Sequence, residues 1–176
     1  DMKATGKSIW NTWNKFPLEQ LFLKTRNLFI GSSINANKEA VKIIKLKLEN
    51  NKNLSSKKQI NNLIKILPNE IYLNNNQKKI IKFLKIIQKY EKKTCIRFSQ
   101  DKNRLATEIT VYTKDKPGLL YKLSGAVSVS GFNVIEAKVS TLKNGMALDV
   151  LWVRDLNGLM LDNLYHLPKL KEIMYK

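Results

Sequence analysis

The residues best suited to chemistry lie at one corner, Asp115-Lys116-Pro117-Gly118-Leu119, where an alternating segment gives way to a helical one. A helix that begins at Pro117-Gly118 presents unpaired backbone N–H groups, and the missing Cβ of Gly118 lets a ligand come close. An amino-acid carboxylate is a fitting guest for such a corner, and Asp115 can accept from an ammonium group. The same Pro-Gly pair is also what a strand needs merely to turn into a helix. Two other reactive types are sparse: His166 is the only histidine and Cys95 the only cysteine. A lone thiol forms no internal disulfide and agrees with a reducing compartment.

The elements that must position this corner are read from periodicity. Leu105, Thr107, Ile109 and Val111 alternate with Glu108, Thr110 and Tyr112, which predicts a strand with one buried face. Pro117 suits the first helical position, with Asp115 as cap or first-turn acid, and Leu120, Leu123 and Val127 then recur on one helical stripe before Gly131 stops it. A second strand alternates Ile135, Ala137 and Val139 with Glu136, Lys138 and Ser140. Asn144-Gly145 supplies positive φ angles for a tight hairpin, and Leu148, Val150 and Trp152 share a face of the third strand. A further helix is expected from Leu159, interrupted at Pro168.

This order predicts an α+β chain: a helical N-terminal segment followed by a ferredoxin-like βαββα domain lacking its last strand. The edge of Ala106 to Thr113, where that strand normally pairs, would then be open to a partner module. Beginning at Asp1 and ending inside the second helix, the chain reads as a piece of something longer.

Asp115-Lys116-Pro117-Gly118-Leu119, with Gly131-Phe132-Asn133-Val134 entering the next strand, resembles an ACT domain, a regulatory module that commonly binds amino acids. Thr107-Glu108-Ile109 and Asn144-Gly145-Met146-Ala147-Leu148-Asp149 are similar to the first ACT domain of the bifunctional uridylyltransferase and uridylyl-removing enzymes of nitrogen control. Asp1-Met2-Lys3-Ala4-Thr5 and Trp10-Asn11-Thr12-Trp13 resemble the exit of that family's HD hydrolase domain. Leu67-Pro68-Asn69-Glu70-Ile71-Tyr72-Leu73 resembles its helical connector.

The resemblance implies residues 1–16 as the tail of an HD-type domain, 17–104 as the connector and 105–176 as a truncated ACT domain. It implies an effector, glutamine or a similar amino acid, held by Asp115, Lys116, Pro117, Gly118 and Leu119 and by Phe132, Asn133 and Val134, commonly across a second, paired ACT domain. Asn133 offers an amide to a polar side chain. The family moves UMP from UTP onto the PII signal protein and hydrolyses it off again, with magnesium as the parent enzyme's metal. Neither catalytic set is legible: no Asp-x-Asp occurs in the chain, and the hydrolase's His-Asp dyad has no counterpart. Asp1 stands where the family's late metal-binding aspartate falls. A regulatory, non-catalytic segment is therefore expected. The alternatives are an ACT module of another HD-containing enzyme, such as a guanosine tetraphosphate synthetase or hydrolase, and a basic nucleic-acid-binding protein.

The formal charge of +18 bears on that last alternative. Residues 105–155 carry +1 and 156–176 another +1, leaving +16 in residues 1–104. Lysine there is interleaved with Ile, Leu and Asn, and only Arg26, Arg97 and Arg104 offer guanidinium forks, a pattern that attracts polyanions without the marks of a base reader. No apolar run is long enough to cross a bilayer and no signal peptide is evident, so a cytoplasmic protein is expected.

Four helical stripes are expected in the connector: Leu18, Leu21, Phe22, Thr25, Leu28 and Phe29; Ala40, Val41, Ile44 and Leu48; Ile60, Leu63, Ile64 and Leu67 behind a capping box at Ser56; and Ile80, Ile81, Leu84, Ile87 and Tyr90. A link from Glu91 to Asn103 then leads into the domain. These stripes read as core seams, and Trp10 and Trp13 as packing residues.

Overall fold

The computed structural model describes residues 57–161 and 166–175, with isolated helical positions at 21, 22, 25, 41–44 and 46. Two compact units are distinguished, Asp1–Ile43 and Ile44–Lys176. In the first, Leu21 and Phe22 are helical but exposed rather than seated in the expected seam. Asp1, Trp10, Trp13 and the Ser56 cap lie outside the described residues.

In the second unit, three helices precede the sheet: α1 (Lys57–Ile66), α2 (Asn69–Asn74) and α3 (Gln77–Tyr90). The apolar stripes predicted for α1 and α3 are buried, through Ile60, Ile64 and Leu67 in one case and Ile80, Leu84 and Ile87 in the other. α3 begins where the Asn76 side chain accepts from Lys79 N at 2.9 Å, an N-cap that satisfies one orphan amide of the first turn.

Next come β1 (Cys95–Asp101), β2 (Ala106–Lys114), α4 (Leu119–Val129), β3 (Phe132–Lys138), β4 (Met146–Asp155) and α5 (His166–Tyr175). The four strands form an antiparallel sheet in the order β1-β2-β4-β3. The fold class is α+β with the ferredoxin-like strand order, as expected, and among the described residues no strand follows the last helix, but the expectation of an open edge at Ala106 to Thr113 is corrected. The place beside β2 is filled by β1, which lies in the segment read as a link. It pairs along β2 from Cys95↔Tyr112 to Asp101↔Ala106, so the β2 edge is closed and the sheet edges are β1 and β3.

The single buried face expected for the first strand is also corrected. Ala106 to Tyr112 are buried without interruption, as are Met146 to Val153. One face carries the core of Ile96, Ile109, Val111, Leu151 and Val153 against Leu123 and Val127 of α4 and Leu170 of α5. The other presents Glu108, Thr110, Tyr112, Leu148, Val150 and Trp152, and α3 reaches it through Lys79, bonded to Glu108 at 2.7 Å and 4.5 Å above the Trp152 ring. Central strands covered on both sides carry near-continuous apolar runs, which blurs the alternation a one-sided sheet would show.

Local corrections have local causes. Leu105 is not in the strand: it sits at φ 47 in the β1–β2 loop, 52% exposed, and Arg154 donates to its carbonyl at 2.9 Å. β3 bulges between Val134 and Glu136, so Ile135 does not keep the simple alternation. The hairpin uses positive φ at Gly145 alone, and Gly145 N donates to Leu142 O at 3.0 Å while Leu142 N donates to Met146 O at 2.7 Å. That is a three-residue loop closed by a glycine bulge rather than a two-residue Asn-Gly turn. Pro168 lies in the first turn of α5, where a missing N–H breaks no helical bond.

Leu151, fully buried where α4 and α5 meet the sheet, is the sharpest probe of this packing. Leu151→Ala is expected to lower unfolding free energy by about 2–5 kcal/mol, read as an earlier urea midpoint with an unchanged slope.

Candidate functional site

The corner after β2 is built by a turn whose chemistry is visible in the chain. Leu119 N donates to Lys116 O at 3.1 Å, and Gly118 has φ 77 and ψ 7. Proline second and a left-handed glycine third define a type II turn. Pro117 is therefore a turn residue, not the first helical residue. Gly118 is the N-cap of α4, and the first helical bond runs from Lys122 N to Gly118 O at 3.0 Å. Among the described residues the amides of Leu120 and Tyr121 have no acceptor, so the positive end of α4 is open. Lys116, Pro117 and Gly118 are exposed, while Asp115 and Leu119 are half-buried.

Asp115 is tied to the hairpin across the corner. Its amide donates to Gly145 O at 3.2 Å, and its Oδ2 accepts from Thr141 Oγ1 at 2.5 Å. Beside Thr141, Ser140 N donates to Oδ1 of Asp149 at 3.2 Å. Asp149 is 1% exposed, opposite Val111 of β2, and its Oδ2 has no hydrogen-bond partner. Burial pushes its carboxyl up to about 6; the Ser140 amide opposes that shift and the nearby Asp115 charge adds to it.

Asp149 was not singled out by sequence reasoning, although it falls in the Gly-Met-Ala-Leu-Asp run. The available signal was position: it shares a strand face with Leu151 and Val153, and a carboxylate on an apolar face needs an explanation.

An open groove of about 940 Å³ runs along α4 from this corner, with Lys116, Leu119 and Tyr121 on one side and Thr94, Ile96 and Val111 on the other. The second half of the expected site lies elsewhere. Phe132, Asn133 and Val134 pair with Asp155, Arg154 and Val153, whereas Lys114 pairs with Met146. Seven positions of β4 separate the two groups, about 24 Å at ~3.4 Å per residue. Within one chain they do not converge. Asn133 is exposed and Val134 half-buried, but Phe132 is buried in the core with its ring 5.1 Å edge-on from His166.

Among the described residues no group of three or more His, Cys, Asp or Glu side chains could hold a metal ion, and no helix is long and apolar enough to cross a membrane. Asp1, the expected ligand, lies outside them.

No family model matches the chain, and no solved structure matches it. Curated relatives do. The chain is 24% identical to the bifunctional uridylyltransferase/uridylyl-removing enzyme of Gluconobacter oxydans over 99% of its own length and 19% of that enzyme. With the enzyme of the same description from Novosphingobium aromaticivorans it shares 29% identity over 97% of the chain and 19% of the relative. A shorter stretch of 58 residues, 33% of the chain and 6% of the relative, is 41% identical to the Rhodospirillum rubrum enzyme. The similarity read from its motifs is thus shown along nearly the whole chain, which spans about a fifth of the length of these relatives.

Asp149 makes a direct prediction about stability. Its folded pKa, about 6, lies above the usual carboxylate value of 3.8, so the folded state holds its proton more tightly. The contribution of this group is fully present below about pH 4 and is lost as pH rises through about 6. Asp149→Asn keeps an oxygen for Ser140 N and carries no charge. It is expected to raise stability at pH 8 by about 1–2 kcal/mol and to flatten the decline between pH 4 and 7, both measured by urea unfolding.

Proposed function

We propose that this chain is the regulatory, amino-acid-sensing part of a bifunctional uridylyltransferase/uridylyl-removing enzyme, with glutamine or a similar amino acid as its effector. The reading is supported by similarity to these enzymes over nearly the whole chain. The observation that carries the sensing part is the Lys116–Leu119 turn, which leaves the amides of Leu120 and Tyr121 open in the first turn of α4, a few residues after the Asp115 carboxylate. Backbone donors at the positive end of a helix suit a carboxylate, and an adjacent acid suits an ammonium group.

On this reading, residues 105–176 act as an ACT domain, residues 17–104 as its connector and residues 1–16 as the tail of an HD-type domain. UMP transfer to and from PII, and the magnesium it uses, belong to the rest of the enzyme. The roughly 31 Å along β4 from Met146, opposite Lys114, to Asp155, opposite Phe132, favours an effector bridged by a second, paired module, since in such a pair one module's turn faces the other's strand entry. Cytoplasmic location follows from the same proposal.

Calorimetric titration of the full chain tests it. Saturable binding of L-glutamine, with no comparable heat from guanosine tetraphosphate or a short RNA duplex at moderate salt, is the expected result. Gly118→Val forces a β-branched side chain onto φ 77 and shifts the turn, so it is expected to weaken glutamine binding about tenfold or more. Binding of RNA in place of any amino acid refutes the proposal.

A further inference from the structure

Helix α3 carries five lysines and no acidic residue, and the fold treats those lysines in two ways. Lys79 is turned to the sheet, paired with Glu108 at 2.7 Å and set 4.5 Å above the Trp152 ring, and Lys82 sits at the margin, 3.7 Å from Glu108 and donating to Ser99 at 3.0 Å. Lys78, Lys85 and Lys89 are exposed, and among the described residues none of them has a carboxylate partner. Their placement costs helix stability. Lysines three and four residues apart repel one another, and Lys78 stands in the first turn, where the helix dipole disfavours a cation. No acid among the described residues offsets that cost for the exposed three.

Lys78, Lys82, Lys85 and Lys89 form one straight stripe along α3, roughly 16 Å long at 1.5 Å per residue. Between this stripe and the edge strand β1 runs an open groove of about 380 Å³. Its floor is apolar, made by half-buried Ile81 and buried Ile86, and Arg97 of β1 forms the far wall. Arg97 donates to the Tyr90 hydroxyl at 3.1 Å and lies 5.7 Å from the centre of the Tyr90 ring. One arm of its guanidinium is thereby held, and further N–H groups stay available to a carboxylate.

These features select the class of partner. Side chains three and four residues apart share a helix face, so a row of cations over an apolar floor matches a helix with carboxylates at the same spacing and apolar side chains between them. A nucleic-acid strand is less well served. Tyr90, the aromatic ring lining the groove, already carries Lys89 and Arg97, each 5.7 Å from its centre, and is not the open platform that base stacking needs.

We infer that the groove between α3 and β1 docks an acidic amphipathic helix of a partner protein, with its carboxylates along the lysine stripe and on Arg97 and its apolar side chains over Ile81 and Ile86. The inference is independent of the amino-acid-sensing reading, since α3 and α4 cover opposite faces of the sheet.

Fluorescence anisotropy on the full chain at physiological ionic strength tests it. The probe is a labelled peptide of about 18 residues, long enough to be helical, with glutamates at i, i+4, i+7 and i+11 and leucines beside them. Saturable binding is expected, with none comparable from a scrambled peptide of the same composition or from a single-stranded oligonucleotide of the same charge. Lys85→Glu with Lys89→Glu is expected to weaken the peptide about tenfold or more, against about twofold or less for Lys169→Glu with Lys171→Glu, the same charge change at exposed positions of α5. Ile81→Ser, which alters no charge, is expected to weaken it about threefold or more through the lost apolar contact. An unchanged urea midpoint checks that each variant folds. Equal losses from the two double substitutions, or equal binding of the scrambled peptide, reduce the surface to a general attraction for polyanions and overturn the inference, as does tighter binding of the oligonucleotide. A peptide that fails to bind the unaltered chain overturns it too and leaves the glutamine titration untouched.

Discussion

The structure depends on one constraint: β2 and β4 are stripped of water on both faces. Everything polar on those strands must then find a partner inside the protein, because a buried charge or hydroxyl without one costs more than the surrounding packing returns. The second face shows how this is met. Trp152 is fully buried between Glu108 and Glu136 on neighbouring strands, its indole N–H bonded to Asp101. Lys79, Arg104 and Lys138 lie over its ring at 4.5, 4.3 and 5.4 Å. The same cations are paired with carboxylates, Lys79 with Glu108 and Arg104 with both Asp101 and Glu136. Aromatic face, cation and carboxylate alternate, so each charge is offset twice.

This arrangement changes the meaning of the basic connector. The excess of lysine before residue 105 looks, as composition, like a polyanion-binding surface. Part of it instead complements the acidic face of the sheet: Lys79 and Lys82 of α3 both approach Glu108, at 2.7 and 3.7 Å, and Lys82 also donates to Ser99. α3 thus does two jobs with one helical repeat, burying Ile80, Phe83, Leu84 and Ile87 and delivering its first lysines to the strands.

What the chain revealed by itself follows the same physics. The α3 stripe, the Leu123 and Val127 part of the α4 stripe, the glycine stop at Gly131 and the Pro117-Gly118 corner were legible because each depends on a few adjacent residues, whereas Leu120, expected on the α4 stripe, is exposed and Leu119 packs in its place. β1 was not, since Cys95-Ile96-Arg97-Phe98-Ser99-Gln100-Asp101 has no clean alternation and becomes a strand through its ladder with β2. The exact start of α4 was missed because proline at a first helical position and proline second in a type II turn look alike until the φ of Gly118 is known. Of the expected site, the turn was readable. The distance between Asp115 and Phe132 was not, because it is set by β3 running antiparallel to β4, as was the role of Phe132, whose burial depends on α5.

Asp149 is where these threads meet. Glu108 and Trp152 are each buried with several partners, whereas Asp149 has the Ser140 amide alone among the described residues. Leaving the carboxylate half-satisfied costs stability at neutral pH, which makes Asp149 the place on these strands where burial outruns polar pairing. The glycine-capped start of α4 shows the opposite sign, with the amides of Leu120 and Tyr121 unpaired among the described residues. The two unsatisfied features lie toward the same end of the sheet and are opposite in sign.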